Sequence, residues 1–177
     1  MTFVEMIRLG AEEQLKGSIW HDEDFIPVVL SEAGSHMVLV QVPPFENEKE
    51  KLTRFAWAIA AARYFGSNVM ALVMDAWMVK GDLEDMTVAP SQHPKRVEGL
   101  VTLIYDGNEM HRTCRTYMRV GKSIEWLEDW RELSGEATGW MSSIFKEIVE
   151  TDDIESLELP VMVGMAVYGE ENVIKIS

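Results

Sequence analysis

The chain contains very little cysteine, with Cys114 the single example among its 177 residues. No intramolecular disulfide can form, which suits a reducing compartment. Long hydrophobic runs are also missing, because the densest apolar stretches, 55–62 and 69–79, are far shorter than a membrane span. Residues 1–16 alternate apolar and charged side chains, unlike the apolar centre of a signal peptide. The sequence therefore predicts a soluble protein without a membrane association, located in the cytoplasm.

Basic residues are scarce, since 16 Lys and Arg face 30 Asp and Glu and give a net charge of −14. This balance argues against direct nucleic-acid binding through a basic surface and against docking on anionic lipid. Residues 121–177 hold thirteen of the acids and four of the bases. One interpretation is a solubilising surface. The alternative is an acidic mimic of DNA that inhibits a nucleic-acid-binding protein of the host.

Recognisable cofactor and metal motifs are absent. The four histidines, His21, His36, His93 and His111, do not have the spacing of a zinc site. The sequence also contains no P-loop, no dinucleotide-binding glycine fingerprint and no nucleophile elbow. We therefore expect no metal and no cofactor.

Hydrophobic periodicity and turn residues predict the order of the elements. In the first half they are a helix ending at Gly17, a hairpin of Phe25–Ser31 and His36–Val42, a helix between Asn47 and Gly66, and a strand Val69–Val79 buried on both faces. In the second half they are a hairpin of Val97–Asp106 and Met110–Val120, a short helix after Ser123, a helix around 140–149, and a last hairpin within Leu159–Ile176.

This order groups strands together rather than alternating them regularly with helices. It predicts an α+β fold with a mostly antiparallel sheet and helices packed on one face. A crossover from His36–Val42 through the helix to Val69–Val79 would make the sheet mixed. We interpret residues 1–177 as a single domain. In one form of this interpretation, 121–177 make up an acidic appendage of helix and hairpin.

Three residues are candidates for catalysis. Asp75 is a carboxylate within an apolar strand, where burial should raise its pKa or require a firm partner. His93 and Arg96 lie in or beside a connection that Pro90 and Pro94 constrain. If these side chains converge in one cleft, they would support a hydrolase-like activity.

One face of the second predicted hairpin is polar and could bind a ligand. Strand alternation places His111, Arg115, Tyr117 and Arg119 on this face together with Glu98. The same alternation puts Cys114 on the opposite, apolar face, where its thiol would be inert. One interpretation is a solvated surface on which Glu98 pairs with an arginine. The other is a recognition surface for a carboxylate, a phosphate or an acidic partner.

Two short motifs carry a resemblance to a known group. The strand residues 75–79 read Asp-Ala-Trp-Met-Val, and the loop 90–98 reads Pro-Ser-Gln-His-Pro-Lys-Arg-Val-Glu. This arrangement resembles a group of small uncharacterised phage and prophage proteins, in which a glutamate stands at the place of Asp75. The resemblance covers roughly residues 67–106 and implies a phage or bacterial source, but no activity.

Together these observations favour a non-catalytic accessory protein that acts through protein–protein contacts or self-association. The hydrolase built on Asp75, His93 and Arg96 and the acidic DNA mimic are the alternatives.

Overall fold

A computed structural model describes residues 1–79, 92–133 and 135–177. Along the chain the elements are α1 (Phe3–Trp20), β1 (Val28–Ala33), β2 (His36–Gln41), α2 (Glu48–Phe65), β3 (Met70–Val79), β4 (Arg96–Tyr105), β5 (Met110–Val120), β6 (Ser123–Trp126), β7 (Arg131–Glu132), α3 (Gly135–Val149), α4 (Glu158–Tyr168) and β8 (Val173–Ile176). Short 3-10 turns, Ile154–Leu157 and Glu170–Asn172, precede α4 and β8. None of the described helices has both the length and the apolar character needed to cross a membrane.

The strands form one antiparallel sheet in the order β6-β5-β4-β3-β1-β2-β8, and β7 adds to β5. Two of the three predicted hairpins, β1–β2 and β4–β5, are confirmed, and so is the α+β fold. The crossover through α2 also exists, but β1 lies between β2 and β3 and pairs antiparallel with each. The described ladders are therefore all antiparallel, so the sheet is not mixed.

Helices cover both faces of the sheet, which corrects the expectation of helices on one face. On one side α2, α3 and α4 enclose a core around Phe55, Leu72 and Phe145. On the other side α1 inserts the stripe Ile7, Ala11, Leu15 and Ile19. Near the middle of β3 and β4, the side chains that point to either face of the sheet are apolar. Both faces must therefore be covered, which requires the second layer.

Two predicted elements are wrong. The segment after Ser123 is the strand β6, which follows β5 through a tight turn with Gly121 at φ 61° and pairs with its end. The predicted final hairpin is the helix α4 followed by the single strand β8. Both errors have the same cause, because a short apolar run fits a strand as well as a buried helix.

The acidic segment 121–177 joins the rest of the fold at several places. Met141, Phe145 and Val149 of α3 and Val161 of α4 belong to the core that surrounds α2. At the sheet, β8 pairs with β2. This segment thus supplies both edges of the described sheet, β6 and β8, and part of its helical cover.

Candidate functional site

A cavity of about 680 Å³ lies where β1 ends beside β3. The β1 ladder reaches Val73, whereas β3 continues to Val79 with only β4 at its side. The gap is surrounded by Pro27, just before β1, by the start of α2, and by the strands β3, β4 and β5. We call it the β3 cavity. Its polar wall consists of Asp75, Glu98, Tyr117 and Arg119.

Asp75 faces this cavity rather than a closed core. The expectation that β3 is buried on both faces is correct for Met70–Val73 and wrong from Asp75 onward, because β1 stops before that point. Asp75 is exposed where it lines the β3 cavity, and the cavity walls partly enclose its carboxyl. Burial therefore raises the pKa of its carboxyl, while a hydrogen bond from its own amide opposes the rise and the nearby Glu98 adds to it.

Glu98 and Arg119 form a two-pronged ion pair across β4 and β5. The Arg119 Nε and Nη2 groups donate to the Glu98 carboxylate at 2.8–3.0 Å. These bonds raise the pKa of the guanidinium. The expected pairing of Glu98 with an arginine is confirmed, and it leaves this arginine already engaged by a carboxylate.

Tyr117 is buried beside the ion pair, with 1% of its surface exposed. Its position corrects the expectation that the polar hairpin face is solvated there. The hydroxyl forms no hydrogen bond of good geometry with the described residues, and the Arg119 guanidinium, which is engaged by Glu98, is its one close polar neighbour among them. Burial, helped by the charges of Glu98 and Asp75, raises the pKa of this phenol.

The structure does not assemble the predicted catalytic trio. In the β3–β4 ladder Asp75 lies opposite Leu100, whereas Arg96 lies opposite Val79. Arg96 places its guanidinium over the Trp77 ring at 4.9 Å. His93 is buried before β4, where its Nδ1 accepts from the Lys95 amide at 3.1 Å. Neither His93 nor Arg96 is among the described residues that line the β3 cavity.

The rest of the polar hairpin face lies partly under α1. Arg115 donates from Nη1 to Glu12 of α1 at 2.8 Å and stacks its guanidinium over Trp126 at 4.2 Å. The predicted partition of faces is correct, since Cys114 is buried on the opposite face of β5. The predicted exposure is wrong because α1 covers this part of the sheet. Arg115 therefore joins elements within the fold instead of presenting a free cation.

One small group of side chains has the geometry of metal ligands. The potential ligand atoms of Asp106, Glu109 and His111 lie within 4.8 Å of one another in the β4–β5 turn. His111 Nε2 and Asp106 Oδ2 are 2.9 Å apart. The other Asp106 oxygen accepts the amides of Asn108 and Glu109, so turn formation alone accounts for the position of Asp106. The absence of a bound metal stays a prediction.

Exposed apolar side chains also lie on α4 and on β8. Leu159, Val163 and Val167 recur every four residues on α4 and are 73%, 53% and 71% exposed. Ile174 and Ile176 on β8 are exposed as well. We call these five residues the apolar edge. Hydrophobic periodicity did not indicate the stripe on α4, because this segment was predicted to be a hairpin rather than a helix.

The outer side of β8 also carries backbone groups without strand partners. The bond from the Val42 amide to the Pro27 carbonyl fixes which residues of β2 point toward β1. By alternation Leu39 and Met37 point toward β8, where they lie opposite Ile174 and Ile176. The amide and carbonyl groups of Val173 and Lys175 therefore point away from the sheet. No described strand pairs with that side.

No protein-family model matches the chain, and neither a curated protein nor a solved structure shows significant similarity to it. Function is therefore inferred from the β3 cavity and the apolar edge.

Proposed function

We propose that the protein is non-catalytic and works through self-association, with the outer side of β8 as the contact between two copies. The observation that carries this proposal is the free edge of β8, whose unpaired backbone groups lie beside exposed apolar side chains. Such an edge is a template for pairing with another strand unless charge or a covering element blocks it. Lys175 is the one charged residue within β8.

The free edge of β8 is complementary to itself. If two copies meet around a two-fold axis with Ile174 opposite Ile174, Val173 of each copy faces Lys175 of the other. These opposed residues are the ones whose backbone groups point outward, so four hydrogen bonds form between the copies. Shifting the register by two residues instead places Lys175 opposite Lys175, which like charges disfavour.

The stripe on α4 is a further exposed apolar surface, and Val163 and Val167 line a groove between α4 and α2. A helix that is apolar on its outward side normally requires a cover. Helix α4 leads directly into β8 through Glu170–Asn172, and it contains a single charged residue, Glu158. Apolar association can therefore occur here although each copy carries a net charge of −14.

The alternatives have less support. The hydrolase hypothesis needs Asp75, His93 and Arg96 in one cleft, and only Asp75 lines the β3 cavity. The DNA-mimic hypothesis needs a continuous acidic surface on 121–177, yet the outward stripe of α4 interrupts that region with apolar side chains. A cytoplasmic location and a phage or bacterial source remain parts of the proposal that rest on the sequence.

The test is the mass of the protein in solution, measured by sedimentation equilibrium. We expect the wild type to approach about 40 kDa with rising concentration, twice the chain mass of 20.1 kDa. Ile174→Lys places like charges at the two-fold axis and should keep the protein monomeric. Met118→Lys is the matched control, because Met118 is similarly exposed but lies on β5, far along the sheet from β8.

Three results would contradict the proposal. A wild type that stays monomeric at all concentrations would exclude self-association. A dimer that persists in Ile174→Lys but dissociates in Met118→Lys would place the contact elsewhere. A mass that keeps growing beyond two copies would indicate head-to-tail pairing of β8 with β6, which is also inconsistent with a two-fold contact.

A further inference from the structure

Three carboxylates, Glu48, Asp75 and Glu98, line the β3 cavity together with two cations, Lys51 and Arg119. Glu98 is held by Arg119, whereas Asp75 forms no ion pair with the described residues. The charges of Arg119 and Lys51 lower the pKa of Asp75, but their effects are smaller than those of burial, the backbone amide and Glu98. Glu48, from the first turn of α2, adds a third carboxylate to the lining. The cavity, within a strongly acidic chain, therefore favours a positively charged occupant over an anion.

The rim of the same cavity is aromatic. Phe45, Trp77 and Trp140 line it and are 37%, 43% and 38% exposed. Two of these rings already attract cations, since Lys51 Nζ lies 5.9 Å from the Phe45 centroid and Arg96 stacks on Trp77. Aromatic faces stabilise ammonium and guanidinium groups and also cover apolar groups from water.

A third feature is independent of charge. The Tyr117 hydroxyl is buried in the wall, where among the described residues it has only the Arg119 guanidinium close by and no hydrogen bond of good geometry. A buried polar atom left unpaired is costly, and native proteins rarely keep one without a reason. A ligand or ordered water that enters the cavity beside Asp75 would supply that partner.

We propose that the β3 cavity binds an organic cation, namely a protonated amine or guanidinium attached to an apolar or aromatic group. The charged group would meet Asp75, and the apolar group would lie against Trp77 and Trp140. The volume of about 680 Å³ falls within the usual range for small-ligand sites. None of the apolar-edge residues lines this cavity, so the site is independent of the proposed self-association.

The first probe is 2-phenylethylamine, with 2-phenylethanol as its neutral analogue, titrated while tryptophan fluorescence is recorded. We expect saturable binding of the amine and binding of the alcohol that is weaker by about tenfold or more. Asp75→Asn should weaken amine binding by a similar factor. Asp24→Asn, on the exposed link after α1, is the charge-matched control and should bind like the wild type.

Dependence on pH gives a second measurement on the unmodified protein. Because burial raises the pKa of Asp75, amine binding should already weaken at a pH above the range where an ordinary aspartate becomes protonated. Binding of 2-phenylethanol should not change over the same range, because it does not depend on the ionised carboxylate.

A second probe identifies the source of the cation. Acetyl-Val-Lys-Val-amide presents a lysine on an extended backbone, and tighter binding of this peptide than of 2-phenylethylamine would assign the site to a peptide side chain. Tighter binding of 2-phenylethylamine would assign it to a free amine. The proposal is overturned if neither probe binds at millimolar concentration, or if Asp75→Asn binds the amine as well as the wild type does.

Discussion

Asp75 and Asp106 show how the surroundings of a carboxyl group set its pKa in opposite directions. In the wall of the β3 cavity, burial raises the pKa of Asp75. In the β4–β5 turn, the Glu109 amide, then His111 and the Asn108 amide, lower the pKa of Asp106 to about 2. Asp75 thus destabilises the fold when it ionises. Ionised Asp106 stabilises the folded state at pH values above the pKa that this carboxyl has in the unfolded chain. The stabilisation is lost as the pH falls toward 2.

We expect Asp75→Asn to be more stable than the wild type at neutral pH. The folded state binds the Asp75 proton more tightly than the unfolded chain, so ionisation lowers wild-type stability as the pH rises from about 4 through the raised pKa. The neutral amide removes this loss. Urea unfolding between about pH 4 and pH 8 measures the difference, which should grow with pH. A difference that shrinks with rising pH would show that Asp75 is stabilised as an anion.

At the scale of elements, the sequence predicted those parts of the fold that local signals define. The β1–β2 hairpin turns at Gly34, which has φ 65°, and α2 begins after Asn47, whose side chain accepts from the Glu50 amide, so both agree with the predicted hairpin and helix. The helix α4 and the strand β6 were misassigned because short apolar runs carry no distinctive period. The β3 cavity was beyond prediction, although Asp75 was a candidate, since it depends on where β1 stops beside β3.

Beside the apolar stripe that α1 buries, one carboxylate links this helix to the sheet. Glu12 Oε1 accepts from Arg115 Nη1 and Trp130 Nε1, both at 2.8 Å, and the Glu12 side chain is 13% exposed. This position connects α1, β5 and the segment before β7. The polar hairpin face therefore works as an attachment surface for a helix of the same chain.

We predict that Glu12→Ala lowers the free energy of unfolding by about 2 kcal/mol, because it leaves the Arg115 guanidinium and the Trp130 indole without their shared acceptor. Glu13→Ala is the control. Glu13 pairs only with Lys16 on the exposed side of α1, and such pairs contribute about 0–1 kcal/mol. Urea denaturation of both variants gives the comparison, and equal losses would show that the Glu12 contacts do not anchor α1.

At the scale of the whole molecule, a large negative charge opposes an apolar contact. Each copy carries −14, whereas β8 contributes one lysine and the stripe of α4 is uncharged. Repulsion between two copies is therefore long-ranged, while the contact itself is short-ranged and apolar. The balance between them should depend on salt, because added ions screen the repulsion and leave the contact intact.

We expect the dimer to become tighter as ionic strength rises from about 0.02 M to about 0.5 M, over which the screening length falls several-fold. Sedimentation velocity at fixed protein concentration measures the shift toward the dimer. If salt instead dissociates the dimer, ion pairs rather than β8 and its apolar surroundings must hold the copies together.

The most direct test of self-association through β8 is disulfide formation at the two-fold axis. Ile174 of each copy should lie about 4.5 Å from its counterpart between Cα atoms, within the range that a disulfide spans. We predict that Ile174→Cys forms a covalent dimer under mild oxidation, as seen on non-reducing gels. Native Cys114 is buried and should not react. Ile176→Cys, on the same strand, would lie more than about 10 Å from its counterpart and should remain a monomer on the gel. Efficient cross-linking of Ile176→Cys, or none of Ile174→Cys, would contradict the proposed contact.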